Sequence, residues 1–257
     1  MSQSWVRAAA GVSVCLVLAV VPSIAQAATI NGTNGDDKLH GKSGKDTISG
    51  KDGDDKITSG GGNDTVSGGA GKDEIILGGG NDKATGDAGK DKIRGGGGND
   101  LADGGGGNDQ LLLNNGRDHA IGGEGDDLIT TTNDGDWLEG GVGNDTLAAG
   151  NDDDMVDGGE GADDISGGKG DDQISDGPGN DRILGDDGND VITLGTGKDT
   201  VYAETGDNRI LATNDGSADI IYCGPGLADS LTYSVMVDPL DTIDGCETVT
   251  VAPPAAR

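Results

Sequence analysis

Residues 95–109 read GGGGNDLADGGGGND, two copies of G-G-G-G-N-D nine residues apart. Glycine loses more backbone entropy on folding than any other residue. So dense a run needs an external reason to be ordered, and the reason lies in its phase. From residue 32 the chain divides without insertion into twenty consecutive nonapeptides ending at residue 211. A fixed short period held this long is the mark of a solenoid.

Each place in the repeat has its own chemistry. The sixth is Asp in nineteen repeats: Asp37, Asp46, Asp55, Asp64, Asp73, Asp82, Asp91, Asp100, Asp109, Asp118, Asp127, Asp136, Asp145, Asp154, Asp163, Asp172, Asp181, Asp190 and Asp199. Asn208 takes the place in the twentieth. The fourth place is Gly in eighteen repeats, with Asp134 and Asp152 as the exceptions. Asp tolerates the left-handed backbone region, so a turn of positive φ is expected there. The eighth place is always apolar, Leu, Ile or Val in seventeen repeats and Ala84, Ala102 and Ala120 in the others. Mostly polar neighbours on either side give the alternation of a very short strand with one buried residue. Each repeat is therefore a six-residue turn followed by a three-residue strand.

The pattern GGxGxDxUx, with U apolar, resembles the RTX calcium-binding nonapeptide of haemolysin-type toxins, and the resemblance covers residues 32–211. It implies an all-β, right-handed parallel β-roll with two nonapeptides per coil and about ten coils. It also implies Ca²⁺ between the stacked turns along each edge, up to about eighteen ions, with the sixth-place Asp residues as metal ligands. Calcium takes six to eight oxygen ligands at about 2.3–2.6 Å. Gly-rich turns can aim carbonyls inward, and Asp supplies the charge. If same-edge Asp residues stack at the strand spacing of about 4.8 Å, each pair repels by roughly 0.9 kcal/mol even at the dielectric constant of water. Eighteen such pairs cost about 15 kcal/mol, comparable with the whole stability of an ordinary domain. A cation that neutralises the stack is then a condition of folding, binding only the folded form.

Composition bounds the rest. The 257 residues include 52 Gly, no Phe, three Tyr and two Trp, with 47 acidic against 17 basic residues and a net charge of −30. That acidity disfavours nucleic-acid binding. Charge is uneven: residues 28–94 carry 12 acids and 10 bases, residues 95–211 carry 28 and 5. The first third would turn positive with calcium bound, which suggests either contact with an anionic cell-envelope polymer or lysines that keep the calcium-free chain soluble; other surface proteins are the further candidate partners. Residues 1–27 read as a secretory signal peptide: Arg7 precedes an apolar run of 14 residues (8–21), and Ala25-Gln26-Ala27 forms an A-x-A cleavage site. The run is short for a membrane span, which needs about 20 residues, and no later segment is apolar enough to cross. A secreted, extracellular chain starting near Ala28 is expected. Cys223 and Cys246 then form a disulfide by default in an oxidising setting.

Residues 212–257 leave the nine-residue phase and are expected to cap the roll, although Asp219-Ile220-Ile221 resembles one more repeat end displaced by two. Solenoid ends need such caps against edge pairing. No catalytic residue is expected: the two histidines, His40 and His119, lie in separate repeats, and neither H-E-x-x-H nor G-x-S-x-G occurs. Leu101, His119, Trp137 and Met155 recur at place seven of alternate repeats and should stack as an outward apolar strip. The reading is a structural, matrix or adhesive calcium-binding protein. An ice-binding or surface-adhesin segment and a non-catalytic accessory module of a larger secreted hydrolase system are the alternatives.

Overall fold

The computed structural model describes residues 27–252 apart from Leu227 and Val235; the proposed signal peptide lies almost wholly outside them. Twenty-five strands from Thr29–Asn31 to Thr248–Val251 alternate between a 13-stranded and a 12-stranded parallel sheet. Among the described residues there is no helix. The molecule is thus a parallel β-solenoid of about twelve turns, consistent with a β-roll.

The sequence period sets the register. Ile48 pairs with Val66 and Val66 with Ala84 in one sheet, while Ile93 pairs with Leu111 and Leu111 with Ile129 in the other. Every repeat therefore meets the repeat two further on, and like stacks on like. The place-eight side chains from Ile48 to Ile210 are all buried and form the core between the sheets. At place four, sixteen glycines have positive φ, and Asp134 (68°) and Asp152 (76°) adopt it too, as their tolerance of that region predicts.

Two features go beyond the expected pattern. First, place one also points inward, so the buried strand face has a second column. Its non-glycine occupants, Ser59, Leu77, Leu113, Thr131, Ala149, Asp176, Leu194 and Ala203, are all buried. Repeats 77–85 and 113–121, which have only Ala84 and Ala120 at place eight, carry Leu77 and Leu113 at place one. Large and small residues alternate across the core to keep it filled.

Second, the coils number about twelve because the roll extends past both ends of the nonapeptide array. Thr29–Asn31 pairs with Thr47–Asp52 before it. Beyond it, Ile220–Tyr222, Ser230–Tyr233, Thr242–Asp244 and Thr248–Val251 join the same two sheets in parallel. The segment after residue 211 thus continues the winding with longer turns. Cys223 and Cys246 are disulfide-bonded across these last coils, and the buried Tyr233 donates its hydroxyl to Asp241 Oδ2 at 2.5 Å. The strip expected at place seven forms: Leu101, His119, Trp137 and Met155 are successive register partners. The His119 ring stacks on Trp137 at 4.2 Å and its Nε2 pairs with Glu139 at 2.8 Å.

Candidate metal centre

The strands begin at place seven and, in place of the three residues expected, many run six residues, past place one of the next repeat, as in Thr47–Asp52 and Thr65–Ala70, before the chain turns and the sixth residue closes back onto the following strand. Stacked turns bring the place-six residues into two columns, one per edge. One runs Asp37, Asp55, Asp73, Asp91, Asp109, Asp127, Asp145, Asp163, Asp181 and Asp199; the other runs Asp46, Asp64, Asp82, Asp100, Asp118, Asp136, Asp154, Asp172, Asp190 and Asn208.

Within each column the backbone N–H of one residue donates to the side-chain oxygen Oδ1 of the residue one coil further on, at 2.6–3.0 Å throughout. The chains continue past the nonapeptides. Asp199 donates to Asp219, Asn208 to Asp229 and Asp219 to Asp241, across offsets of 20, 21 and 22 residues in place of 18. Asp219, Asp229 and Asp241 are ladder members that the nine-residue phase conceals. Only Asp219 left a trace in the sequence, as the start of the displaced repeat end Asp219-Ile220-Ile221.

The two carboxylate oxygens of each Asp do different work. Oδ1 locks coil to coil. Oδ2 is buried and unpartnered in seventeen of the nineteen predicted residues, from Asp55 to Asp199. The exceptions are at the start: Asp37 Oδ2 accepts the backbone N–H and the hydroxyl of Thr33, and Asp46 Oδ2 accepts the N–H of Lys42. A buried carboxylate oxygen without a partner is costly, so the same unmet demand recurs coil after coil.

A second oxygen converges on it. At Gly122 a methyl group would stand 2.4 Å from the carbonyl oxygen of Gly140 and 2.5 Å from Asp127 Oδ2; at Gly86 it would stand 2.5 Å from both the Gly104 carbonyl and Asp91 Oδ2. Neither glycine has positive φ. At these two repeats it is the close approach of carboxylate and carbonyl oxygens, and not the turn conformation, that favours glycine at place one. Ser59 and Thr131 close their cradles differently: each hydroxyl donates to the facing carbonyl, of Leu77 and Ala149 respectively. The donor set is all oxygen with a formal charge on each coil, the chemistry of a hard divalent cation.

Burial raises many carboxyl groups of the stack, whereas the hydrogen bonds from Thr33 lower that of Asp37. Burial pushes the carboxyl groups of Asp73, Asp100 and Asp136 up to about 6, those of Asp91, Asp118 and Asp127 to about 7, and that of Asp154 to about 8. In each, the N–H bond from the preceding coil offsets part of the desolvation.

The profile of the RTX calcium-binding nonapeptide repeat (4 copies) matches this chain in ten overlapping stretches that span residues 27–210. The chain belongs to the RTX calcium-binding nonapeptide repeat family. In this RTX protein the sixth-place Asp columns, beside the place-one carbonyls, are the residues that would hold such a cation. No curated protein matches the chain. Among solved structures it is similar to a hyperactive, Ca²⁺-dependent, β-helical antifreeze protein from an Antarctic bacterium, at 19% identity and a TM-score of 0.34, covering 89% of this chain and 81% of the other. A likeness at that level assigns no function.

Proposed function

We propose that the protein is a secreted, non-catalytic calcium-binding roll that becomes ordered when ions fill its edges outside the cell, and that it serves as a structural, matrix or adhesive element. The observation that carries this reading is the repeated pair of a buried, unpartnered Asp Oδ2 and a converging place-one carbonyl. Ten repeats combine a place-one glycine with an unpartnered Oδ2, at Asp55, Asp73, Asp91, Asp100, Asp109, Asp127, Asp145, Asp163, Asp172 and Asp190. Leaving aside the turn that carries Asp176, we expect these seats to fill before the remaining inter-turn positions. Where Leu77, Leu113 or Leu194 stands at place one, an apolar side chain crowds the seat.

Export is supported by Arg7, the apolar run over residues 8–21 and the Ala25-Gln26-Ala27 site, and by the Cys223–Cys246 disulfide. Calcium-triggered ordering suits that route, because a roll without calcium stays unfolded until it leaves a low-calcium compartment. For a partner, the place-seven row Lys38, Lys56, Glu74 and Lys92 favours an anionic envelope polymer. Glu74 binds Lys56 within the row at 2.6 Å and limits its charge. Ice binding has less in its favour: place three runs through Asn34, Ser43, Asp52, Gly61 and Ala70 with no regular Thr row.

The test is a circular dichroism titration of the purified protein from excess chelator into millimolar calcium. The expected result is gain of β-structure with calcium; identical spectra in both conditions refute the reading. Mass analysis of the exported protein, with an N-terminus near Ala28, tests secretion.

A further inference from the structure

Repeat 176–184 departs from the pattern at its most constrained position. Twelve of the twenty repeats have Gly at place one, and Asp176 is the single charged residue found there. It is completely buried. Asp176 Oδ1 accepts the backbone N–H of Gly195 at 2.6 Å, and Oδ2 has no partner. Beside it lie Asp181, in the same turn, and Asp199, one coil further on, joined by the ladder bond from the Asp181 N–H to Asp199 Oδ1 at 3.0 Å. The Oδ2 atoms of Asp181 and Asp199 are also buried and unpartnered. One ligand oxygen from each of the three residues lies within 4.8 Å of those of the other two.

A separation of at most 4.8 Å lets the three oxygens share one divalent cation, calcium among them. Two oxygens on opposite sides of a calcium ion stand about 4.6–5.2 Å apart, given contacts of about 2.3–2.6 Å. Three carboxylates packed this closely repel one another in a site that water does not reach, and each carries an oxygen with nothing to bind. The other place-one side chains resolve their position without a cation: Ser59 and Thr131 by a hydroxyl bond, and Leu77, Leu113, Ala149, Leu194 and Ala203 by packing in the core. Asp176 does neither. It adds a third negative ligand where the repeat pattern supplies two at most.

We propose that Asp176, Asp181 and Asp199 form a three-carboxylate calcium site that binds more tightly than the other seats of the roll and fills before them. The inference rests on the reading that the place-six columns hold calcium, and it goes beyond that reading by singling out one seat and its added ligand. Calcium affinity rises with the number of charged ligands and with the rigidity of the site. Here both increase, since Asp176 is fixed by the Gly195 N–H and enclosed by the core.

The experiment compares the full chain with its Asp176→Gly and Asp176→Asn variants by calorimetric calcium titration and by native mass spectrometry in buffers of defined free calcium. Asp176→Gly restores the residue that twelve repeats already carry, so folding in saturating calcium is expected to survive. The wild type should keep one ion at free calcium that empties the other seats. Both variants should lose that ion, with the tightest dissociation constant weakened at least tenfold, while the ion count at saturation stays within one of the wild type. Asp176→Asn keeps the acceptor for Gly195 and removes the charge. Unchanged tight binding in either variant overturns the proposal, and for Asp176→Asn it would mean that Asp176 is a neutral buried acid. Those results leave calcium binding by the roll intact, whereas a wild type that takes up no calcium at all refutes both readings.

Discussion

Replacing Gly122 by Ala isolates the cradle from every other property of the repeat. The added methyl group would stand 2.4 Å from the Gly140 carbonyl oxygen and 2.5 Å from Asp127 Oδ2. Gly122 has no positive φ, so backbone strain contributes nothing. At those distances the carbonyl, within the strand Trp137–Val142, or the carboxylate has to shift to admit the methyl group. The expected outcome is loss of one calcium seat. At free calcium a hundredfold above its dissociation constant, one bound ion stabilises the folded form by about 2.7 kcal/mol. For a chain of this size that corresponds to a fall in Tm of about 5–10 °C. The control is Gly106→Ala: no atom lies within 4 Å of the added methyl group, and Gly106 also lacks positive φ. That variant should stay within about 0.5 kcal/mol of the wild type. Thermal unfolding followed by circular dichroism in excess calcium, with ions counted by native mass spectrometry, reads both effects. The reasoning fails if Gly122→Ala and Gly106→Ala melt together, or if Gly122→Ala retains the full number of ions.

The remaining predictions concern protons and the last coils. Carboxyl groups raised by burial to between about 6 and 8, among them Asp100, Asp91 and Asp154, titrate near 3.9 in an unfolded chain. Their protonated forms therefore favour the metal-free roll fully below about pH 4, and that contribution disappears as pH rises through 6 to 8. Metal-free protein should accordingly gain β-structure on acidification, and a circular dichroism series from pH 8 to pH 3 showing no gain counts against the buried-carboxylate account. Calcium has to displace those same protons, so its affinity should increase from pH 5.5 to pH 8; a flat or falling affinity by calorimetry contradicts this. Reduction of Cys223–Cys246, whose separation is 23 residues, removes roughly 3 kcal/mol in the chain-entropy description. Hydrogen exchange should then speed up in Ile220–Tyr222 and the strands after it while the coils before residue 200 keep their protection; uniform loss along the roll would refute a local role for the bridge.

Much of the architecture could be read from particular residues. The unbroken interval between Asp37 and Asp199 gave the stacking and the two columns of Asp residues. The apolar place eight gave the buried column, and Asp134 and Asp152 identified the left-handed turn position that Gly hides elsewhere. A period is one-dimensional information, and a solenoid whose repeats touch only their neighbours is nearly one-dimensional in its packing, so the two agree.

What the period could not convey is direction. A glycine at place one has no side chain to show whether it faces core or solvent, and only the continuation of the strand past place nine, as in Thr47–Asp52, settles that it faces inward with place eight. Leu77, Leu113 and Leu194 were the visible sign of it. The split between an Oδ1 that ties coils together and an Oδ2 left without a partner depends on which backbone N–H lies one coil away, a spatial fact. Insertions of two to four residues broke the phase after residue 211, so Asp219, Asp229 and Asp241 rejoin the columns only once the sheets impose their register. Asp176 was one acid among many in an acidic chain. Burial beside Asp181 and Asp199 distinguishes it, because charge placed in a dry interior must find a counter-charge, whereas the same charge on the surface needs none.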